Sequence, residues 1–244
     1  MIGLPDGITA CLFDLDGVLT GTAALHREAW KQTFDEFLRE RDGAGFRPFD
    51  DADYARYVDG RPRLDGVRTF LASRDITLPA GEPDDAPTAH TVHGLGNRKN
   101  TLVLRIIDER GPNPYPGSRR YLEAARDAGM AIAVVTSSAN AQAVLDAADF
   151  TDFVDARVDG LVISREGLRG KPAPDSFLAG AAALGVAPAR AAVFEDALAG
   201  VEAGRAGDFG FVVGVNRAGQ ADALRERGAD VVVDDLADLL GDNE

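Results

Sequence analysis

The chain has 244 residues, 26 Lys+Arg against 40 Asp+Glu, a formal net charge of −14, 45% hydrophobic residues and a single cysteine. That length can bury a real core in one large domain or two modest ones, while the acidic balance argues against nucleic-acid binding and against docking on an anionic membrane, both of which need clustered basic charge. One Cys excludes an intramolecular disulfide framework and an all-cysteine zinc site; no apolar run reaches the roughly 18 residues of a spanning helix, and the start Met1-Ile2-Gly3-Leu4-Pro5-Asp6 lacks the basic opening of a secretory signal, so a cytoplasmic protein is expected.

The apolar run Ile8 to Leu15, followed by Gly17, reads as a buried strand ending near Asp14. From Thr22 to Glu40 the spacing of Ala24, Leu25, Ala29, Phe34, Phe37 and Leu38 is helical, with Thr22 as a candidate N-cap. Weaker helical patterns cover Asp51–Val58 and Leu64–Ser73, Leu78–Gly96 reads as a loop rich in Pro, Gly, Asp and Thr, and a further helix spans about Asn97–Arg110. The stiff stretch Gly111-Pro112-Asn113-Pro114-Tyr115-Pro116-Gly117 is a candidate hinge.

Beyond it the rhythm changes. Helices at about 118–128, 140–148, 174–184, 198–206 and 220–227 alternate with strands at 131–136, near 153–158, and at 191–194, 210–215 and 230–233. Apolar strands alternating with amphipathic helices indicate a parallel sheet covered on both faces. The expected fold class is therefore α/β, a doubly wound, Rossmann-like parallel sheet formed by residues 1–21 and 113–244, with an all-helical cap domain, residues 22–112, inserted after the first strand. The acidic tail from Asp234-Asp235 to Glu244 reads as a short terminal helix with a solvated end.

Ligands of an open α/β sheet bind beyond the carboxyl ends of its strands. Those ends read Phe13-Asp14-Leu15-Asp16-Gly17, Val135-Thr136-Ser137-Ser138 and Phe194-Glu195-Asp196, with Gly170-Lys171-Pro172 at a helix start. Gathered carboxylates repel one another unless a hard cation joins them. Mg²⁺ takes oxygen ligands, including one or two carboxylates and a phosphate oxygen, and Lys171 and the Thr136 hydroxyl are suited to the remaining phosphate oxygens. The set fits Mg²⁺-assisted phosphoryl transfer, in which a carboxylate can also be the nucleophile. The only lysines are Lys31, Lys99 and Lys171, every other basic side chain being Arg; codon bias explains the scarcity, and under that bias a retained lysine is worth asking about, since a site that needs a compact ammonium does not accept Arg freely.

Asp14-x-Asp16-Gly17-Val18, Thr136, Lys171-Pro172 and Glu195-Asp196, in this order, resemble the four-motif signature of the haloacid dehalogenase superfamily. Each piece alone is ordinary: a strand ending in Asp can be a turn, Gly-Lys-Pro a helix start, Glu-Asp a solvated end. Thr22-x-x-x-His26-x-x-x-Trp30, Asp59-Gly60-Arg61-Pro62-Arg63-x-Asp65-Gly66-Val67, Arg98-Lys99-Asn100, Tyr115-Pro116-Gly117 and Gly170-Lys171-Pro172-Ala173-Pro174-Asp175-x-Phe177 further resemble the β-phosphoglucomutase-like family, so the likeness covers nearly the whole chain. It implies Asp14 as nucleophile, Asp16 as general acid/base, and Thr136 and Lys171 on the transferring phosphoryl group. It implies Mg²⁺ held by Asp14, the backbone carbonyl of Asp16, Asp196 and, directly or through water, Glu195.

The same likeness implies that His26 and Trp30 face the active site, that His26 gates Asp16, and that Lys99 and Asn100 contact a sugar or its phosphate. Arg63, Ser138 and Asn140 would hold the second phosphate, with Ser137 beside them; Arg63 in a surface salt bridge with Asp59 or Asp65, and Trp30 as a core anchor, are the competing readings. The implied substrate is a phosphorylated sugar and the implied outcome a mutase through a bisphosphate, or a phosphatase; a silent phosphate-ligand binding protein is the alternative from another class. A monomer is the default. Two departures stand out: Ala139 lies where the family's mutases carry Lys, and Gly21 where many relatives carry Asp. Two remaining features read as unrelated to the chemistry. His90 and His93 read as a loop or helix start, and Cys11 as a packed core thiol.

Overall fold

The computed structural model describes residues 2–241. In chain order, strand β1 (Ala10–Phe13) is followed by helices α1 (Thr22–Asp42), α2 (Asp51–Asp53), α3 (Arg63–Ala72) and α4 (Val92–Arg110). Then come α5 (Pro116–Asp127), β2 (Ala131–Val135), α6 (Ala141–Ala147), β3 (Ala156–Val158), α7 (Gly160–Glu166) and α8 (Asp175–Ala183). The chain continues through β4 (Ala191–Glu195), α9 (Leu198–Ala206), β5 (Phe211–Val215), α10 (Ala221–Glu226) and β6 (Val231–Val233). Two compact units result, one gathering Met1–Gly21 with Pro112–Glu244 and the other comprising Thr22–Gly111.

In the first unit the six strands form one sheet of order β3-β2-β1-β4-β5-β6, every pairing parallel. This is the doubly wound Rossmann order, and the chain reverses its direction of sheet growth at β1, between β2 and β4. All four residues of β1 are buried, as a strand covered on both faces requires. Ala10 and Leu12 join Val135, Phe177, Ala181 and Val193 on one face. On the other, Phe13 stacks on Phe194 with ring centres 4.4 Å apart, and Tyr121 of α5 meets both rings edge-on. Gly180 lets α8 approach the sheet closely, since a Cβ there would stand 2.7 Å from Val135 Cγ2.

The second unit is all-helical. Its core is aromatic: Trp30 stacks on Phe34 at 5.1 Å, and Phe34 packs on Phe70 at 4.1 Å and on Phe49 at 5.2 Å, with Val67, Leu71 and Leu95 around them. Two readings of this stretch need correction. Helix α4 begins at Val92 rather than Asn97, capped by Thr91, whose Oγ1 accepts from Gly94 N at 2.9 Å. The loop expected to Gly96 therefore ends at Thr91. Gly94 and Gly96 are packing glycines: a Cβ on the first would overlap the Ala89 carbonyl, and on the second would press on Leu64. Asp51–Val58 is helical as expected, beginning as the short α2 and continuing as a π-helical segment, Tyr54–Val58. Thr22 is the first residue of α1 rather than the residue before it.

In the sheet unit α7 was not anticipated; buried Asp159 caps it, accepting from Leu161 N and Val162 N at 3.0 Å each. The expected terminal helix is a 3₁₀ turn at Leu236–Leu239, and the rest of that expectation, from Asp242 to Glu244, lies outside the described residues.

Candidate active site

Beyond Phe13 the chain closes a tight loop. Gly17 N donates to Thr20 O at 2.7 Å, and Leu19 N and Thr20 N donate to Leu15 O at 3.0 Å each. Ser118 Oγ of α5 donates to Val18 O at 2.6 Å from a buried position, which anchors the loop to that helix. Gly17 has φ +94°, and a Cβ there would overlap the carboxylate of Asp196, so only glycine permits this approach.

Asp14, at the head of that loop, is buried, as are Glu195 and Asp196 at the end of the adjacent β4. One carboxylate oxygen from each of the three lies within 4.8 Å of the others. Lys171, fully buried, bridges two of them: its Nζ donates to Asp14 Oδ1 and to Glu195 Oε1 at 2.6 Å each, and to Val135 O at 3.0 Å. The same ammonium sits 4.7 Å from the centre of the Phe177 ring, and a cis peptide joins Lys171 to Pro172. Burial alone would lower the Lys171 pKa, but the charges of Asp14 and Glu195 outweigh it and raise the group. Burial raises the Glu195 carboxyl against the opposing pull of Lys171. Glu195 Oε2 accepts from Ala197 N at 3.0 Å, and Gly200 of α9 leaves room for the carboxylate, which a Cβ there would overlap.

The next strand end supplies hydroxyls. Thr136, buried after β2, has Oγ1 3.5 Å from Asp16 Oδ2 and accepts from Ser138 N at 3.1 Å. Ser138 Oγ accepts from Asn140 N at 3.2 Å. Ser137 closes this loop against α7, where a Cβ on Gly160 would stand 2.7 Å from Ser137 O. The sheet thus brings Asp14, Asp16, Thr136, Lys171, Glu195 and Asp196 to its carboxyl edge.

Three buried carboxylates face one ammonium, an excess of acid that a bound cation would offset and that burial already opposes by raising the Glu195 carboxyl. Hard oxygen donors on a compact footprint are the ligand chemistry of a divalent metal ion, so Asp14, Glu195 and Asp196 fit a metal site. The Asp16 side chain stands outside this trio.

Within the helical unit, Lys99 of α4 is buried with its Nζ 2.9 Å from His26 Nδ1 and 5.1 Å from the Trp30 ring centre, so three of the expected residues form one cluster. Burial first, and the Lys99 charge second, hold the His26 pKa well below its usual value. Trp30 is both in that cluster and in the aromatic core, so the anchor role is present whatever else it does. Asn100 follows Lys99 on α4 and is half-buried. Arg63, first residue of α3, lies along Gly96, and its Nε is buried without a hydrogen-bond partner among the described residues. Burial lowers its pKa. Asp65, one of the two carboxylates considered for it, pairs instead with Arg68 at 3.2 Å. His90 stands 3.3 Å from Glu40 in this unit, away from any metal-binding group among the described residues.

Two residues of the site's surroundings escaped the sequence reading. Arg217 and Gln220, after β5, hold the backbone beside the carboxylates: Arg217 Nε donates to Gly17 O and Gln220 Nε2 to Asp196 O, both at 2.9 Å. Asn216-Arg217 follows a strand at the same carboxyl edge, but in a chain so rich in arginine that position alone does not single Arg217 out.

A doubly wound sheet whose central strand ends in a buried, lysine-bridged carboxylate defines a class of phosphoryl-transfer folds. A family model for haloacid dehalogenase-like hydrolases matches residues 8–208, and the chain belongs to that family. It is 57% identical to a β-phosphoglucomutase of Mycobacterium bovis over 98% of this chain and 94% of the relative. It is 30% identical to a validoxylamine A 7′-phosphate phosphatase of Streptomyces hygroscopicus over 93% and 94%. Among solved structures, the β-phosphoglucomutase of Clostridium difficile superimposes with a TM-score of 0.77 at 27% identity, covering 95% of this chain and 93% of that one. Among the described residues, no helix is long and apolar enough to cross a membrane.

Proposed function

We propose that the protein is a β-phosphoglucomutase, an enzyme that interconverts β-glucose 1-phosphate and glucose 6-phosphate through a bisphosphate. The similarity to the mycobacterial relative over nearly the full length of both chains supports the substrate. The observation that carries the chemistry is the buried Asp14–Lys171–Glu195 bridge with Asp196 beside it.

In this reading Asp14 is the nucleophile. Lys171 holds its Oδ1, so the carboxylate is oriented before substrate arrives. As the Asp14 oxygen bonds to phosphorus, the bond to the leaving oxygen breaks, and Asp16 donates the proton that oxygen needs. In the return half-reaction Asp16 takes the proton from the accepting sugar hydroxyl. Thr136, as a hydroxyl donor, and Lys171, as a fixed positive charge, stabilise the phosphoryl oxygens. Asp14, Glu195 and Asp196, with the Asp16 carbonyl, are the proposed holders of Mg²⁺, which when bound would neutralise charge on the transferring group.

The helical unit, residues 22–112 in this reading, serves as the cap. Water at the phosphoaspartate gives hydrolysis, whereas a site closed to water lets a sugar hydroxyl accept the group. His26, Trp30, Lys99 and Asn100 are proposed to line it on the cap side. Arg63, with Ser137, Ser138 and Asn140, is proposed to hold the phosphate that is not reacting. The partnerless Nε of Arg63 supports that assignment.

The deciding assay supplies Mg²⁺, β-glucose 1-phosphate and a trace of β-glucose 1,6-bisphosphate. Glucose 6-phosphate forming rapidly with little free phosphate supports the mutase. Phosphate release without the isomer would replace it by the phosphatase reading, which the Streptomyces relative represents.

A further inference from the structure

The segment after β5 touches both loops that carry the carboxylates, yet it contributes no carboxylate of its own. The Arg217 guanidinium donates from Nε to Gly17 O at 2.9 Å and from Nη1 to Asp234 O at 2.8 Å, and it lies 3.8 Å over the centre of the Tyr115 ring. Gln220 Nε2 donates to Asp196 O at 2.9 Å, and Gln220 N donates to Asn216 Oδ1 at 2.7 Å. Asn216 Nδ2 in turn donates to Asp234 Oδ1 at 2.8 Å. Gly17 and Asp196, the two ends of this brace, are in direct contact, since no Cβ fits between them.

A carbonyl held by a charged, stacked guanidinium has little freedom to turn, because the planar fork fixes two bonds at once. Gly17 O belongs to the Gly17–Val18 peptide, and Gly17 N, in the peptide that follows Asp16, is tied to Thr20 O at 2.7 Å, so the bond from Arg217 limits how far the whole Asp16–Thr20 turn can shift. Holding Asp196 O does the same for the loop that carries Asp196. Groups that orient ligands from behind typically change metal affinity 10–100-fold when removed.

We infer that Arg217 and Gln220 are positioning residues that set the separation of the Asp14–Gly17 and Glu195–Asp196 loops, and through it the affinity of the carboxylate cluster for a divalent cation. This rests on the reading of that cluster as a metal site. The brace acts on the backbone of both loops from a third, so its effect appears in metal binding before substrate is present.

The test titrates Mn²⁺ into the full chain, following free Mn²⁺ by electron paramagnetic resonance, for wild type, Arg217→Ala, Arg217→Lys and Gln220→Ala. Thermal unfolding in EDTA is measured alongside. Both alanine variants are expected to bind Mn²⁺ about tenfold more weakly. Gln220→Ala is expected to unfold close to the wild-type temperature in EDTA, and Arg217→Lys to recover part of the affinity by restoring one of the two donors. Wild-type Mn²⁺ affinity in Gln220→Ala and in a folded Arg217→Ala would overturn the inference. So would an affinity loss that tracks unfolding temperature across all three variants, which would make the brace a matter of general stability. Wild-type protein that binds no Mn²⁺ would remove the metal reading itself, and the inference with it.

Discussion

Lys99 Nζ stands 2.9 Å from His26 Nδ1 in the interior of the helical unit. An ammonium has only donors, so Nδ1 must accept, and the imidazole proton is on Nε2. Burial, then the Lys99 charge, lowers the His26 pKa, so the ring stays neutral well below its usual value. Nitrogen shifts of labelled His26 are expected to show the Nε2–H tautomer unchanged through pH 6.5. A titration centred near 6.5 would contradict this pairing. The sign for stability follows: the unfolded chain binds the proton more readily, so the contribution is intact above pH 6.5 and is lost as pH falls below it.

Lys171→Met should be among the most damaging single changes. It leaves Asp14 and Glu195 buried without their shared cation, a loss of about 3 kcal/mol or more. Added divalent cation is expected to restore part of the unfolding temperature in this variant, and to a greater extent than in wild type. Calorimetry with and without Mg²⁺ checks both statements.

Gly17→Ala tests steric control of the site. The added methyl meets the Asp196 carboxylate, and the residue must hold φ +94°, a conformation costing an L-residue about 1–2 kcal/mol. Mn²⁺ affinity is expected to fall at least about tenfold with the far-ultraviolet circular dichroism unchanged. Wild-type affinity would show that the loop can retreat from Asp196.

Asp14→Asn and Asp16→Asn separate two roles. The first should abolish turnover with both sugar phosphates and small test esters. The second should slow both strongly while Mn²⁺ still binds, because the Asp16 carboxylate lies outside the cluster. Rapid quench with labelled bisphosphate is expected to trap phosphoenzyme in wild type and none in Asp14→Asn.

Cys11 is buried in β1, and burial pushes its thiol up to about 12. Iodoacetamide at pH 8 is therefore expected to leave the native protein unmodified and to alkylate it in denaturant, as mass spectrometry would show. Since the folded pKa exceeds the unfolded one, this thiol's contribution to stability is complete below the unfolded value and is lost as pH rises toward 12.

The sheet and its site were legible in the sequence because their signals are local. A buried parallel strand is a short apolar run, and the residue just past it is at the ligand edge; Asp14, Thr136 and Asp196 all follow that rule. Helix α7 was not, because seven residues make too few turns for a periodic pattern and its Asp159-Gly160 start reads equally as a turn. The beginning of α4 was hidden by Gly94 and Gly96: the first packs against the Ala89 carbonyl one turn earlier and the second against Leu64, a neighbour distant in the chain that a local pattern does not reveal. Arg217 was obscured by composition: in a chain whose cations are nearly all arginines, one more carries no signal until its contacts with Gly17 and Asp234 are known.

The position of β1 at the middle of the sheet also bears on synthesis. Ala10 pairs with Ala131 on one side and with Ala191 on the other. At ribosomal speeds of about 5–20 residues per second, the second neighbour follows on the order of ten seconds or more after the first strand is made. Until then an apolar strand bearing Asp14 has an open edge, and the nascent chain is at its most vulnerable to wrong pairing and to chaperone capture. The buried carboxylates of β1 and β4 meet only when β4 arrives, so assembly of that cluster is a late reporter of a completed sheet.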